Sequence, residues 1–462
     1  MNGVRRACMI DAVWKIVVVR KDAGMLRFVV SRDDHVYACF PDIAKTPDGT
    51  LVCIYRESMG HGPFPFSRIA VRRSLDGGLT WLPRQIIDEC VHKEQIVNEN
   101  RSWLSDDEVR GYEETRARVT ESWKNAASIN CPRLLCLSDG QLLMIADYAV
   151  YIPSAESGYK WVNLIYRSFD SGVTWVGPED SGISNALVPS LNELHDGRLM
   201  SGLARVEQGK MGALAKETQL VFFSDDKGRR WSDPVAIPSE SGQDFSEGSF
   251  VELDDGTILG ILRDDKLGRA YKTLSCDGGQ TWKGPFPTQL IGLEGRPKAG
   301  RLRSGEICIT YRMGVPNEML ALHLMTQEAA RHEGISPRVK RKPMPEDFVD
   351  VNDPSQPSYM TSYYPGITHV IDIDRSVHRD SGYSGWVQLD SGDIYVVDYI
   401  NDDAPLAHIR GYLVTRSDCI LFPEGDIPWL HPSGQPFLKM TYGMAERQSR
   451  ANRDRATSSN GS

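Results

Sequence analysis

The sequence predicts an all-β fold, a six-bladed β-propeller, and two repeated patterns carry this prediction. The first is a pair of short apolar runs joined by a tight turn, a combination that strongly indicates a β-hairpin. It occurs six times, with turns at Asp48-Gly49, Asp139-Gly140, Asp196-Gly197, Asp255-Gly256, Ser304-Gly305 and Ser391-Gly392. Six hairpins with further outer strands fit six four-stranded blades around a central channel.

The second pattern reads S-x-D-x-G-x-T-W, or a close variant of it, and occurs four times. Its copies begin at Ser74, Ser168, Ser224 and Ser275. In a segment of this kind the Asp side chain accepts backbone N–H groups of its own turn, and the Gly takes a left-handed conformation. The Trp is apolar enough to pack between sheets. We therefore expect these segments to mark blades and to take no part in catalysis.

The spacing of the repeats sets the predicted domain organisation. Residues 1–444 are expected to form the propeller, with a strand at about residues 14–19 completing the last blade. Residues from about 88 to 128 have a polar, helix-like pattern and predict a helical insertion between blades one and two. Residues from about 326 to 358 predict a long loop between blades five and six, and residues 445–462 a disordered polar tail.

Composition excludes several classes of function. With 53 basic and 62 acidic side chains the formal net charge is −9, which argues against a nucleic-acid partner. No apolar run is long enough to span a membrane, and no secretory signal is recognisable, so we expect a cytoplasmic protein. The nine scattered cysteines lack a C-x-x-C pair and predict neither a disulfide framework nor a zinc site. We expect no cofactor and no metal.

The turns also act as a ruler for comparing the blades. Eight residues before each turn stand Phe40, Cys131, Val188, Glu247, Arg296 and Tyr383; seven residues after each turn Gly stand Arg56, Asp147, Ala204, Arg263, Arg312 and Tyr399. Antiparallel strands joined at a turn bring both sets to the same end of the sheet. Because acids, tyrosines and several arginines converge there, we expect a ligand site at this mouth of the channel.

Two of these segments carry a resemblance to a known family. Residues 246–256 place Glu247 before a V-E-L-D-D-G hairpin that is followed by Arg263, and Gly382-Tyr383-Ser384 precedes the last hairpin. With the four S-x-D-x-G-x-T-W segments, residues 38–420 resemble the sialidase-like superfamily with BNR (Asp-box) repeats. The resemblance implies an exo-acting glycoside hydrolase that releases a terminal, acidic sugar. Tyr383 would be its nucleophile, Glu247 the general base, and Arg263 a ligand of the substrate carboxylate.

This assignment of roles has a chemical reason. A carboxylate nucleophile is repelled by a substrate that carries its own carboxylate at the anomeric carbon, whereas a neutral Tyr activated by Glu is not. Arg suits the substrate carboxylate because its planar fork binds both oxygens.

The sequence departs from the sialidase pattern in blade one. Cys39 stands where sialidases have the first arginine of a triad. Further candidates for substrate binding are Arg56, Arg68, Asp147, Arg296 and Arg312. The sialidase acid/base Asp is missing from the loop before the first S-x-D segment, and His61 is the preferred substitute, with Asp42 second.

Other interpretations remain open. A polysaccharide lyase acting on uronic-acid sugars would use a Tyr and a His. An arabinanase-like hydrolase would use Glu247 with Asp147 or Asp42, and a non-catalytic carbohydrate-binding propeller needs neither. Glu247 and Tyr383 are also compatible with capping and packing roles, and the arginines with an ion-pair network. The group His369, Asp372, Asp374, His378 and Asp380 has a spacing unlike a compact metal motif.

Overall fold

The fold is described from a computed structural model of the chain. It covers residues 26–415, apart from 62–66, 91–126, 152–158, 185, 207–216, 241–242, 265–268, 289, 291, 315–317, 336–338, 341–361 and 364–365. The chain divides into two compact units. One comprises Met1–Ser336 and Gly366–Cys419, and the other comprises Pro337–Pro365 and Ile420–Ser462.

The first unit contains six antiparallel sheets, the blades of the predicted propeller. Blade one consists of β2 (Tyr37–Lys45), β3 (Leu51–Ser58), β4 (Ser67–Ser74) and β5 (Gln85–Cys90). Blade two consists of β6 (Ala127–Ile129), β7 (Arg133–Cys136), β8 (Leu142–Tyr151), β9 (Tyr159–Ser168) and β10 (Val176–Ser184). Blade three consists of β11 (Ala186–Glu193), β12 (Leu199–Val206), β13 (Glu217–Ser224) and β14 (Val235–Ala236).

The other three blades follow the same order along the chain. Blade four consists of β15 (Phe245–Glu252), β16 (Ile258–Asp264), β17 (Arg269–Ser275) and β18 (Lys283–Pro287). Blade five consists of β19 (Lys298–Arg301), β20 (Ile307–Met313), β21 (Met319–Met325) and β24 (Gly366–Ile373). Blade six consists of β25 (Gly385–Gln388), β26 (Ile394–Ile400), β27 (His408–Val414) and β1 (Leu26–Ser31). In the second unit, β22 (Val339–Lys340) pairs with β23 (Ser362–Tyr363).

The predicted hairpins and the predicted closure by an N-terminal strand are both present. The Gly of each of the six turns has a positive φ, between 81° and 94°. The strand that completes blade six is β1, which pairs with β27, and residues 14–19, to which we assigned this role, lie outside the described residues. Closing the ring in this way pairs the first strand with the last and leaves no open edge between them.

The two predicted insertions differ in how well their predicted positions agree with the structure. The first lies between β5 and β6, hence between blades one and two as predicted, but its helical character is not supported. Its described ends are strands, and residues 91–126 lie outside the described residues. The second lies inside blade five, not between blades five and six, because β24 pairs with β21 as the fourth strand of that blade. Residues 445–462 also fall outside the described part.

The four S-x-D-x-G-x-T-W segments form the same turn. In the first, the N–H of Gly78 donates to Ser74 Oγ over 2.8 Å and the N–H of Thr80 donates to Asp76 Oδ1 over 2.9 Å. Equivalent bonds occur in the segments that begin at Ser168, Ser224 and Ser275. The Asp side chain is thus occupied by its own turn, as a structural residue would be.

The glycines of these turns also pack closely against side chains of the preceding blade. A Cβ added at Gly78 would lie 2.2 Å from the ring of Tyr395 in blade six, and one at Gly279 would lie 2.2 Å from the ring of Phe223 in blade three. The same space in blade five holds α1 (Gln327–Arg331), capped by Thr326. Its buried alanines pack in the core between blades four and five. Among the described residues, no helix is long and apolar enough to cross a membrane.

Candidate active site

The innermost strands of several blades are interrupted near the same end. The register shifts between Cys39 and Asp42 in blade one and between Ser246 and Ser249 in blade four. Phe40 and Glu247 lie in these bulges with φ of 54° and 48°. A left-handed backbone costs a non-glycine residue of order 1 kcal/mol or more, and such strain persists mainly where function requires it. The bulges re-aim two members of the predicted ring of side chains.

The centre of the site is a hydrogen-bonded trio from blades four and six. The hydroxyl of Tyr383 donates to Oε1 of Glu247, and Nη1 of Arg263 donates to Oε2. Arg263 also donates to the Tyr383 hydroxyl over 3.1 Å. Residues 136 positions apart in the chain are therefore in direct contact.

The charges of this trio follow from its surroundings. Burial raises the pKa of Glu247, but Arg263 and the hydrogen bond from Tyr383 outweigh burial and hold the pKa below its ordinary value. Burial, and next the negative charge of Glu247, raise the pKa of Tyr383 well above its ordinary value. At neutral pH the site therefore contains a neutral phenol whose proton points at an ionised carboxylate.

Two further arginines and one phenylalanine surround the Tyr383 ring. The guanidinium carbons of Arg296 and Arg312 lie 5.4 and 5.6 Å from its centroid, and the ring of Phe40 lies 5.3 Å away. Arg312 is fixed by donating to the carbonyls of Ser381 and Glu294 over 3.1 Å each. Positive charge beside the ring favours any state in which the tyrosine oxygen becomes negative.

His61 lies on the other side of Phe40. The His61 and Phe40 rings meet edge-on with centroids 4.9 Å apart. Nδ1 of His61 is 2.7 Å from Oδ2 of Asp380, which also accepts a hydrogen bond from Tyr37. Arg56 donates to the backbone carbonyl of His61 over 3.0 Å. His61 therefore lies in the site, and it is paired there with Asp380, a carboxylate that the sequence did not reveal.

Asp147 is a second buried carboxylate in the predicted ring. No side chain of the described residues donates a hydrogen bond to its oxygens, and the only nearby donors are the backbone N–H groups of Asp147 and Cys131. Burial raises its pKa to about 6, although Arg133 and Arg56 act in the opposite direction. Burial, and next the negative charges of Asp147 and Glu247, raise the pKa of the Cys131 thiol to about 12. Cys131 therefore lies close to both carboxylates.

The remaining candidates, Asp42 and Arg68, are held by hydrogen bonds to other partners. Asp42 is fully buried and accepts hydrogen bonds from the backbone of Ile43 and Leu134 and from Lys298, over 3.0, 3.1 and 3.2 Å. It ties the inner strands of blades one, two and five together. Arg68 donates to Glu57 over 2.6 Å, an ion pair of blade one. The described residues bring neither side chain into hydrogen-bond contact with the trio.

The residue of this cluster that sequence reasoning did not select as a site candidate is Asp380. It was noted only within a group of acidic and histidine residues considered for metal binding. The described residues contain no group of His, Cys, Asp and Glu that would hold a metal ion. The available signal was its position three residues before Tyr383, at the same end of blade six.

The fold is a six-bladed β-propeller whose blades carry repeated S-x-D-x-G-x-T-W turns. A family model described as a BNR repeat-like domain matches residues 96–396. The chain therefore belongs to the BNR repeat-like family. No curated protein matches its sequence.

Solved structures show the same fold at low sequence identity. A protein of unknown function from Dyadobacter fermentans DSM 18053 has a TM-score of 0.62 and 19% identity, over 87% of this chain and 98% of that one. The Hadza microbial sialidase Hz136 has a TM-score of 0.56 and 16% identity, over 85% and 69%. The intramolecular trans-sialidase from Ruminococcus gnavus, in complex with oseltamivir carboxylate, has a TM-score of 0.53 and 12% identity, over 84% and 96%.

Proposed function

We propose that this protein is an exo-acting glycoside hydrolase that releases a terminal, acidic sugar through Tyr383 and Glu247. The observation that carries the proposal is the hydrogen bond from the neutral Tyr383 hydroxyl to the ionised Glu247, with Arg263 on the other carboxylate oxygen. A nucleophile hydrogen-bonded to a base that a third group orients is the arrangement expected for covalent catalysis.

The reaction would proceed in two displacements. Tyr383 Oη attacks the anomeric carbon while Glu247 accepts the phenol proton, and His61 protonates the departing glycosidic oxygen. Water then attacks the same carbon and gives a proton to His61, the bond to Tyr383 Oη breaks, and Glu247 returns the proton to that oxygen. Arg263, Arg296 and Arg312 favour the second step because they stabilise the negative charge that develops on the tyrosine oxygen.

An acidic sugar is supported by the charge at the mouth. Arg263 and Arg312 are partly exposed beside Tyr383, with 21% and 14% of their side chains accessible. Arginine forks bind carboxylates with two parallel hydrogen bonds. The structurally similar trans-sialidase binds oseltamivir carboxylate, a ligand that carries such a group. Asp147, Arg56 and Arg296 stay predictions as substrate ligands.

The proposal is tested with aryl glycosides of sialic acid, uronic acids and arabinose, together with uronate-containing polysaccharides. Released phenol and new near-ultraviolet absorbance are recorded in the same assay. We expect phenol release from an acidic sugar. The Tyr383→Phe variant should lose at least about 10³-fold in kcat/KM, because it lacks the nucleophilic oxygen.

The matched control is Tyr412→Phe. Tyr412 is also buried and donates to Asp372 over 2.9 Å, so its replacement removes a buried tyrosine–carboxylate bond away from the trio. It should retain activity. New ultraviolet absorbance without phenol release would indicate a lyase instead, and binding without turnover would indicate a carbohydrate-binding propeller. Full activity of Tyr383→Phe would contradict the proposal.

A further inference from the structure

Asp380 is held by hydrogen bonds from several sides, at the point where blades one and six meet. Its Oδ1 accepts a hydrogen bond of 2.7 Å from Tyr399, and its Oδ2 accepts one from Tyr37 and faces His61 Nδ1 at 2.7 Å. Its backbone N–H donates to Asp374 over 3.0 Å. The carboxylate is therefore fixed in position before any ligand arrives.

These bonds also fix the charge of Asp380. Burial raises its pKa, but the hydrogen bonds from His61, Tyr37 and Tyr399 outweigh burial and hold the pKa below its ordinary value. An ionised carboxylate only accepts hydrogen bonds, so the nitrogen that faces it must carry a proton. In neutral His61 that nitrogen is Nδ1, which leaves Nε2 as the position that gives or takes a proton.

The His61–Asp380 pair lies near Tyr383, with the imidazole on the accessible side. Half of the His61 side chain (51%) is exposed, whereas only 16% of Asp380 is, so the imidazole is the accessible member of the pair. The Phe40 ring separates His61 from Tyr383, with centroid distances of 4.9 and 5.3 Å. Arg312 lies 3.9 Å from Asp380 as well as 5.6 Å from the Tyr383 ring. The His61–Asp380 pair thus shares two neighbours, Phe40 and Arg312, with Tyr383.

We propose that Asp380 is a positioning residue, which orients His61 and fixes its tautomer so that Nε2 serves as the acid and base of the glycosidase reaction. The inference rests on the proposed function. In the first displacement His61 acts as the imidazolium, and its Nε2 proton moves to the glycosidic oxygen as the bond from that oxygen to the anomeric carbon breaks. In the second, Nε2 takes the proton of the attacking water. Asp380 keeps its charge throughout and exchanges no proton.

The test uses the dependence of the rate on the leaving group. An acid is needed for a poor leaving group such as an alkoxide, and hardly needed for dinitrophenolate. In Asp380→Asn, kcat/KM for a methyl or benzyl glycoside of the active sugar should fall about 10- to 100-fold, as when a supporting carboxylate of a histidine is lost. The dinitrophenyl glycoside should change by less than about threefold. His61→Gln should show the same selectivity with a larger loss.

The chain provides a matched control in His195. Its Nδ1 lies 3.5 Å from Glu252, and the exposures of the two side chains, 49% and 16%, nearly equal those of His61 and Asp380. The pair stands beside a hairpin turn, at the opposite end of the blades. His195→Gln should leave both substrates unaffected.

The outcomes separate this inference from the proposed function. Equal losses of Asp380→Asn on both substrates would assign Asp380 to folding alone and overturn the inference, and so would no loss on either. If Tyr383→Phe still releases phenol, the proposed function itself fails. A measurement on the wild-type protein needs no variant of Asp380: nitrogen-15 NMR of the histidines should show neutral His61 with its proton on Nδ1. A neutral His61 that carries its single proton on Nε2 would contradict the inference.

Discussion

Two buried aspartates of the channel should respond in opposite ways when each is replaced by asparagine. Asp147 receives no hydrogen bond from a side chain of the described residues, and burial raises its pKa to about 6 from an ordinary 3.8, against the opposite effects of Arg133, nearby backbone N–H groups and Arg56. That difference corresponds to roughly 3 kcal/mol of free energy lost by the folded state when the carboxyl ionises. Asp42, equally buried, accepts three hydrogen bonds, one of them from Lys298.

The sign follows from proton binding. Between pH 3.8 and about 6 the folded state binds more protons at Asp147 than the unfolded state does. The contribution of Asp147 to stability therefore falls as pH rises through that window, and it stays unfavourable above it. Asp147→Asn should be more stable than wild type at pH 8, by up to about 3 kcal/mol, and similar to wild type near pH 4. Asp42→Asn should lose about 2–3 kcal/mol at neutral pH, since a buried N–H or ammonium group is left with a poorer acceptor.

The assay is urea unfolding of wild type and both variants at several pH values from 4 to 8, followed by tryptophan fluorescence. The unfolding free energies of wild type and Asp147→Asn should diverge as pH rises. If the two curves stay parallel, the Asp147 carboxyl is solvated in the folded state and its pKa is not raised by burial. If Asp42→Asn is as stable as wild type, the hydrogen bonds at Asp42 do not hold the blades together.

Three further predictions concern a glycine of the S-x-D-x-G-x-T-W turns, a buried lysine and the proposed general base. Gly279→Ala should destabilise the protein by about 2–4 kcal/mol in thermal or urea unfolding, because its Cβ would lie 2.2 Å from Phe223 and its φ is +90°; Gly197→Ala, with a similar φ but open space around it, is the control and should cost clearly less. Burial lowers the pKa of Lys272 to about 8 from 10.5, so the folded state binds fewer protons in that window and wild-type stability should rise with pH through it; Lys272→Met should lack this rise in urea unfolding curves, and a variant that kept it would refute the assignment. Glu247→Gln should lower kcat/KM on aryl glycosides by at least about 10²-fold because an amide cannot accept the Tyr383 proton; activity near the wild-type value would show that Glu247 is not the base.

The sequence predicted the features that depend on local chemistry and on the repeat. The six turns require Gly at a positive φ, and the offsets from those turns found Glu247, Arg263 and Tyr383, which the structure joins in one hydrogen-bonded trio. The offsets worked because equivalent strands of repeated blades end at equivalent places around the channel.

What the sequence did not predict depends on contacts between distant strands. The fourth strand of blade five begins at Gly366, about 40 residues after β21 ends at Met325, so the repeat spacing assigned the intervening residues to the wrong connection. The closing strand β1 is as apolar as residues 14–19, and only pairing with β27 identifies it. Asp380 contacts Tyr37 and His61 of blade one, more than 300 positions away, and no local pattern reports such a contact.

The central claim, that Tyr383 forms a covalent bond with the sugar, is tested most directly by trapping the intermediate. The protein is incubated with a fluorinated, activated form of the sugar that it hydrolyses fastest, quenched in acid, digested and analysed by mass spectrometry. We predict a mass increase of one fluorinated glycosyl group on the peptide that contains Tyr383, and no increase in Tyr383→Phe. An adduct on Glu247, or hydrolysis that proceeds with no adduct on Tyr383, would contradict the account.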